Sequence, residues 1–425
     1  MIKSPKFRVT GTAVGRSLGA WLLKSRESVE TTATLDKDID DLAKQVILPS
    51  LPVSDEEMSR AMHQDRGQKL ARQEAWDELS DKIRQADRKR LCTLGGETAS
   101  LLMAYGARSD VVAAVEDALF DGAEPSPHGW LELEEALKEF PGDYPTALVV
   151  ALAHIDMAWA WRNIVTEHDP ERAQRNCSGH LKRAGKILSS YDAVELNSPS
   201  IGAARCALYA ANARNAANLQ KEYESLVDLD PYGLRHMRAL GRHILPEYAG
   251  GVATLEVMAR RIALQTETAW GAGGYTWVYF DALALEPRGL NLLDPEFFFE
   301  WMRDILHRRN DQHIVNLLAA FCAIAMAPGT SNTELPPHAD ESREHIHGFL
   351  DHILQNHLQE LHPLIWSQAL LSPGESPRLP SRKALIAKGK QIAMRIIASR
   401  FASQMADGSS IAFSSSGMYR LPALQ

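Results

Sequence analysis

Apolar residues recur three and four positions apart through most of this chain from about residue 54 onward. In the segment with Trp76, Leu79 and Ile83, charged residues fill the positions between the apolar ones. This period places apolar side chains on one face of a helix, which must then pack against another element. Weak strand signals occur at Phe7–Val14 and Ile411–Tyr419. The pattern predicts an all-α fold with little or no sheet.

A loose internal repeat occupies the middle of the chain. Two amphipathic segments, beginning at Leu133 and Leu181, have the same three-then-four spacing of apolar residues and start 48 positions apart. Each leads to a proline, Pro145 or Pro199, followed by an alanine-rich stretch. Small side chains let neighbouring helices approach closely, so we predict stacked helical repeats. The alternative is an alanine-rich helical domain without a true repeat.

Residues 130–320 also carry a pattern of prolines and glycines around predicted helices. A proline-bracketed helix leads into a Gly-Gly turn and a second amphipathic helix, and the pattern rests on Trp130, Pro231, Pro246, Gly250 and Gly251. This segment resembles bacterial TPR-like helical-repeat proteins of unknown function. That family often has an aromatic residue before the turn glycines, where this chain has Tyr248 and Ala249. The resemblance implies a TPR-like α-solenoid superhelix and no particular reaction.

Charge is mildly acidic overall and uneven along the 425 residues. Lys and Arg number 46 against 54 Asp and Glu, a net charge of −8. This balance is poorly suited to binding nucleic acid. Residues 1–26 carry six basic and no acidic side chains. We expect a short basic tail or first strand there, with an organelle transit peptide as the alternative, and no secretory signal.

Cysteine placement and apolar runs predict a reduced, soluble setting. Four cysteines lie far apart without a Cys-x-x-Cys pair, which is typical of a cytosolic protein. The longest apolar run, Ala147–Trp161, is interrupted by His154 and Asp156. It is too short and polar to span a bilayer, so we expect a buried helix and no membrane contact.

Loop signals divide the chain into four parts. Proline- and glycine-rich stretches at Ala327–Asp340 and Ser372–Ser381 predict loops. We therefore expect a basic N-terminal segment (1–53), a helical-repeat region (54–327), a C-terminal helical segment (340–406) and a Ser/Gly-rich tail (407–425).

Histidines cluster between His338 and His362, which raises the possibility of a metal site. Most recur every five residues, and that spacing turns them around a helix instead of gathering them. Asp340, Glu344, His347 and Asp351 do form one stripe, and the last two could share a metal. Without a third ligand nearby we expect a solvated face, no metal and no cofactor.

Two other candidate sites are also better explained by packing. His154 and Asp156 lie two positions apart on a helix and face opposite ways, so we expect a satisfied buried histidine and an arginine partner for Asp156. The glycines of Gly271–Gly274 lack phosphate-loop spacing. An aromatic cluster around Trp277 follows them. It is predicted to be core, although it could floor a ligand pocket.

One surface patch is the preferred binding candidate. Arg235, Arg238 and Arg242 fall on one face of a predicted helix, with His236 and His243 beside them. Exposed arginines at this spacing could bind a carboxylate- or phosphate-bearing partner bidentately. The alternative is internal pairing with nearby acidic residues, namely Asp228, Asp230, Glu247 or Glu256.

These observations favour a non-catalytic, cytosolic helical-repeat protein that binds a protein or peptide partner as a scaffold or adaptor. The arginine patch predicts a partner with an acidic surface. Two alternatives remain open: a metal-dependent hydrolase assembled from residues of separate helices, and a sensor that binds a small ligand at the aromatic cluster.

Overall fold

The computed structural model describes residues 38–165, 169–212, 216–246, 249–329, 335–371 and 380–423. Helix accounts for 72% of the structure, which confirms the predicted predominantly helical fold. The predicted strand at Phe7–Val14 lies outside the described residues. The contacts divide the chain into two compact units, Asp55–Asp281 and a unit that joins the described residues before Asp55 to those from Ala282 onward.

The unit Asp55–Asp281 is built from helices joined by short connections. Its first helices are α1 (Asp55–Arg72), α2 (Trp76–Arg88), α3 (Ala99–Phe120), α4 (His128–Glu139), α5 (Tyr144–Ala160) and α6 (Pro170–Leu188). They are followed by α7 (Pro199–Ala211), α8 (Ala216–Leu229), α9 (Leu234–Ile244), α10 (Gly251–Gln265), α11 (Glu267–Trp270) and α12 (Gly273–Leu285), whose last turn passes the unit boundary.

Local sequence explains where three of these helices begin. Asp143, Asp169 and Ser198 each precede a helix and accept a hydrogen bond from the backbone N–H three residues further on. A proline follows in the first turn of each helix, where its missing N–H has no intrahelical partner to lose. The prolines that suggested a repeat are therefore helix starts.

Helix α5 forms the centre of this unit. It packs against α2, α3, α4, α6 and α7 and is buried on nearly every face. A π-helical segment, Trp161–Val165, ends it. By length and composition, Tyr144–Val165 is apolar enough to cross a membrane, a criterion that core helices of soluble proteins also meet. Of the 18-residue apolar stretch of this helix, 72% is buried. The predicted burial of this helix is confirmed, whereas the expectation that it is too short and too polar to span a bilayer is wrong by length and composition.

Helices α1 and α3 meet through two glycines. A Cβ atom on Gly67 would lie 2.0 Å from the carbonyl oxygen of Met103, and one on Gly106 would lie 1.9 Å from that of Gln64. No real Cβ approaches a backbone oxygen that closely, so both positions require glycine at this separation.

The second unit combines helices with a small sheet. Its helices are α13 (Pro295–Arg308), α14 (Gln312–Ala320), α15 (Pro337–Asn356), α16 (Pro363–Gln368), α17 (Arg382–Arg400) and α18 (Ala402–Met405). A 3-10 turn (Pro287–Asn291) precedes α13, and a π-helical segment (Phe321–Ala325) follows α14. Strand β1 (Val46–Ile47) pairs in parallel with β2 (Ser410–Ser414), and β2 pairs antiparallel with β3 (Gly417–Leu421).

The small sheet accounts for the strand signal predicted near the C-terminus. The predicted strand signal at Ile411–Tyr419 corresponds to the hairpin of β2 and β3, in which Ile411 pairs with Arg420 and Ser414 with Gly417. The residues assigned to a Ser/Gly-rich tail therefore include two paired strands. Of the predicted segment boundaries, the first lies next to the observed division after Ser54, whereas the loop predicted at 327–340 falls within the second unit.

Candidate binding site

Helix α9 is amphipathic, and this sets the direction of its arginines. Leu234, Met237, Leu240 and Ile244 are fully buried and fix one face against the core of the unit. The arginines at 235, 238 and 242 occupy the other positions of the helix. The four apolar residues and the three arginines therefore lie on different sides of the helix.

Arg235 is held by the loop that precedes α3. Its guanidinium forms an ion pair with Glu97 at 2.7 Å, and its Nε donates to the carbonyl oxygen of Gly95 at 3.4 Å. Burial, together with the neighbouring positive charge of Arg238, lowers the pKa of Arg235 to about 10. The main cause of this shift is the removal of the guanidinium from water, which the negative charge of Glu97 only partly opposes.

Arg238 and Arg242 share a single carboxylate. Arg238 donates twice to Asp281, over 3.2 Å and 2.6 Å, and its guanidinium lies 4.8 Å from the ring centre of Phe280. Arg242 lies 3.6 Å from the same carboxylate and is 47% exposed, whereas the Arg238 side chain is only 11% exposed. The expectation that all three arginines are exposed is thus wrong for Arg238, which covers Phe280.

A fourth arginine, Arg60 of α1, completes the row. It lies 4.0 Å from Glu97, which Arg235 already binds more closely, and its buried Nε–H has no acceptor in the described part of the chain. Four guanidinium groups therefore share two carboxylates, Glu97 and Asp281. We call Arg60, Arg235, Arg238 and Arg242 the arginine row. These six side chains sum to +2, in a chain whose net charge is −8.

The two histidines proposed for the same surface are engaged within the unit. His236 is buried, with its Nε2 3.3 Å from the Asp230 carboxylate in a geometry that does not make a hydrogen bond. Nδ1 of His243 hydrogen-bonds the Tyr223 hydroxyl at 2.7 Å. Burial, then Arg242, lowers the pKa of His243 to about 4, so the ring is neutral near pH 7.

Internal pairing of the arginines does occur, but not with the acids suggested by sequence proximity. Asp228 accepts from Gln265, and Glu256 accepts from two tyrosines while pairing with Arg260. Asp230 lies beside His236, and Glu247 lies outside the described residues. Sequence reasoning missed Arg60, Glu97 and Asp281. Asp281 is 43 positions from Arg238, and no local spacing signals such a pair.

The predicted metal stripe on α15 is bridged by an arginine. Nδ1 of His347 donates to the carbonyl oxygen of Cys322 at 2.7 Å, so its Nε2 is free to accept from Arg400. The same guanidinium lies 3.4 Å from Asp351. Arg400 thus contacts both residues proposed to share a metal. Within the described ranges, no three candidate ligands gather around a point.

A buried polar chain crosses three helices near α5. His154 donates from Nε2 to Glu134 at 2.9 Å, and its Nδ1 lies 2.9 Å from Nδ1 of His180. Because Nε2–H of His154 donates to the carboxylate, Nδ1 of the neutral ring carries no proton. Nδ1–H of His180 must therefore donate to Nδ1 of His154. Burial lowers the pKa of His180 to about 4, and Arg183 pairs with Glu134, so the chain is neutral apart from this ion pair. This chain of hydrogen bonds gives both ring nitrogens of buried His154 a partner, as expected from the sequence.

The remaining sequence candidates belong to the core. Asp156 pairs with Arg108 at 2.6 Å, the interhelical arginine partner that was predicted. Trp270 and Trp277 are fully buried and pack edge to face at 5.7 Å, which confirms the aromatic cluster as core. The indole N–H of Trp270 donates to the carbonyl oxygen of Pro231 and anchors the turn before α9.

No protein-family model, curated protein or solved structure matches this chain. The basis for a functional proposal is therefore the arginine row and its surroundings.

Proposed function

We propose that this protein is a cytosolic, non-catalytic scaffold or adaptor that binds a protein or peptide partner through the arginine row. The partner presents carboxylates to this surface. The observation that supports this proposal is the sharing of two carboxylates by four guanidinium groups, six side chains whose charges sum to +2. In a protein of net charge −8, such a site attracts an anionic group against the overall field.

The geometry leaves two of the arginines available to a partner. On each shared carboxylate one guanidinium is close and the other distant: Arg238 at 2.6 Å and Arg242 at 3.6 Å on Asp281, and Arg235 at 2.7 Å and Arg60 at 4.0 Å on Glu97. One partner carboxylate can pair with Arg60 and another with Arg242 while the close pairs stay intact.

Exposed apolar side chains occur in the two connections that precede α3 and α9. Leu91 and Leu94, in the loop before α3, are 46% and 45% exposed, and Tyr232, in the turn before α9, is 60% exposed. The loop is fixed from beneath, because buried Glu56 accepts hydrogen bonds from Thr93 and from the backbone N–H of Gly95. Tyrosine and arginine are enriched in binding hot spots and leucine is not, so Tyr232 is the best suited of these three side chains to such a role.

The order of helix packing supports a TPR-like arrangement for this unit. Successive helices α5 and α6, and α7 and α8, pack against each other, and α9 packs against both α8 and α10. The proline starts and the resemblance to TPR-like proteins support the same arrangement. Stacked helical pairs give broad surfaces suited to partner binding.

Partner titration tests this proposal. The partner is first isolated by affinity capture and cross-linking mass spectrometry, and its affinity is then measured for wild type, Arg60→Glu, Arg242→Glu and the control Arg175→Glu. Arg175 lies on α6, is 70% exposed and forms a loose ion pair with Glu171 at 3.8 Å. We expect the first two substitutions to weaken binding about tenfold or more and to reduce its salt dependence. Equal affinity of all four proteins refutes the proposal.

A further inference from the structure

Helix α15 carries a buried arginine whose charge has no close counterion in the described part of the chain. Arg343 is 3% exposed, and its Nε–H is sealed from solvent without a hydrogen-bond acceptor among the described residues. The carboxylate within ion-pair distance is Asp340, which lies 3.8 Å away and is itself 56% exposed. Burial lowers the pKa of Arg343, and Asp340 only partly opposes that shift.

This arrangement is unfavourable unless another anion is bound. Removing a guanidinium from water without a matched partner costs several kcal/mol by general estimates. An exposed carboxylate at 3.8 Å is screened by water and offsets little of that cost. The Arg108–Asp156 pair shows what the chain does elsewhere: the arginine is similarly buried and binds its carboxylate at 2.6 Å.

The face of α15 that carries Arg343 also contacts a π-helical segment. One turn further on, His347 donates to the carbonyl oxygen of Cys322, within the π-helical segment Phe321–Ala325. π-helical segments occur frequently at functional sites. Further along α15, Arg400 of α17 contacts His347 and Asp351, so the negative charge of Asp351 already faces another guanidinium.

We infer that Arg343 is the cationic residue of an oxyanion-binding site on the N-terminal half of α15. The ligand group is a carboxylate or a phosphate, whose paired oxygens match the two N–H edges of a guanidinium. This site belongs to the second unit and does not depend on the proposed role of the arginine row.

Anion-dependent stability tests the inference. Thermal unfolding and isothermal titration are measured for the full-length chain with sodium chloride, sodium acetate or sodium phosphate at constant ionic strength. The proteins are wild type, Arg343→Met, Asp340→Asn and the control Lys388→Met, which removes an exposed charge from α17 of the same unit. Methionine keeps the length of the arginine stem and removes the charge.

We expect acetate or phosphate to raise the melting temperature of wild type, Lys388→Met and Asp340→Asn by about 2 °C or more over chloride. The anion that does so identifies the ligand class, and titration should show one site per chain. Arg343→Met should show neither effect. The inference is overturned if no anion stabilises wild type, or if Arg343→Met responds equally. It also fails if Asp340→Asn loses the response and destabilises as much as Arg343→Met, because Asp340 is then the true partner.

Discussion

Arginine–carboxylate pairs in this protein differ widely in burial, and burial decides how much each one matters. Arg238 and Asp281 are 11% and 22% exposed, whereas Arg72 and Asp110 are 60% and 49% exposed at the same 2.6 Å separation. Water screens the second pair and scarcely reaches the first. Equal distances therefore do not imply equal contributions.

Replacing Asp281 with Asn should destabilise the protein by about 3 kcal/mol, because the largely buried guanidinium of Arg238 loses its bidentate acceptor. Urea denaturation of the variant at pH 7 measures this change. Asp110→Asn is the matched control and should leave the unfolding midpoint nearly unchanged. Comparable losses in the two variants would show that burial does not distinguish these pairs.

Two buried histidines should make stability depend on pH. Burial depresses the folded-state pKa of His180 and of His243 to about 4, against about 6.5 in the unfolded chain. The unfolded state then binds more protons between these values, so stability is complete above about pH 6.5 and is lost as the pH falls toward about 4.

We expect the free energy of unfolding to fall by about 1.4 kcal/mol per pH unit for each of these histidines below about pH 6. Urea titrations between pH 7 and 5 measure the slope, above the range in which most carboxylates titrate. His180→Gln and His243→Gln should each lower this slope by the contribution of one histidine, about 1.4 kcal/mol per pH unit. A slope that neither substitution changes would contradict the depressed pKa of these rings.

At the scale of elements, helix packing distances depend on a few small residues. The crossing of α1 and α3 requires Gly67 and Gly106, because a methyl group on either would overlap a backbone oxygen of the other helix. Gly179 lies within α6, where a Cβ would meet no described atom within 4 Å. The same residue type is thus required at one site and dispensable at another.

Alanine substitution should distinguish these positions. Gly67→Ala and Gly106→Ala should each destabilise the protein by about 2 kcal/mol or more, since backbone atoms cannot move aside cheaply. Gly179→Ala should stabilise it by about 0.5–1 kcal/mol through helix propensity. Differential scanning calorimetry provides the comparison. Stabilisation by all three substitutions would mean that α1 and α3 are further apart than described.

The outward face of α9 should tolerate one charge reversal and not another. Arg242→Glu changes an exposed side chain, whereas Arg235→Glu would place a second carboxylate against Glu97 in a partly buried position. We therefore expect circular dichroism melts to show a clear loss of stability for Arg235→Glu only. Equal melts for the two variants would mean that the Arg235–Glu97 pair contributes little to the fold.

At the scale of the whole molecule, the chain consists of two compact units. Asp55–Asp281 is continuous in sequence and has its own core, centred on α5. A fragment spanning residues 55–286, which keeps α12 complete, should fold independently. We expect a helical circular dichroism spectrum, a cooperative melt and a dispersed NMR spectrum. A fragment that binds a hydrophobic dye and melts without cooperativity would show that this unit needs the rest of the chain.

Sequence alone determined the local features of this protein. The spacing of apolar residues indicated a helical fold, the spacing of Arg235, Arg238 and Arg242 placed them on one face of α9, and Pro145 and Pro199 marked the starts of α5 and α7. These features depend on residues within a few positions of one another, so periodicity reports them directly. The opposite facing of His154 and Asp156 followed from helix geometry for the same reason.

Tertiary structure alone decided which charges meet. Glu97 and Asp281 reach the arginine row from outside α9, and Arg400 reaches His347 from α17, 53 positions away. The poor pairing of Arg343 is equally invisible in sequence, where Asp340, Glu341 and Glu344 all lie close to it along the chain. Ion pairing depends on distances of a few ångströms between side chains of different elements, and no local period encodes those distances.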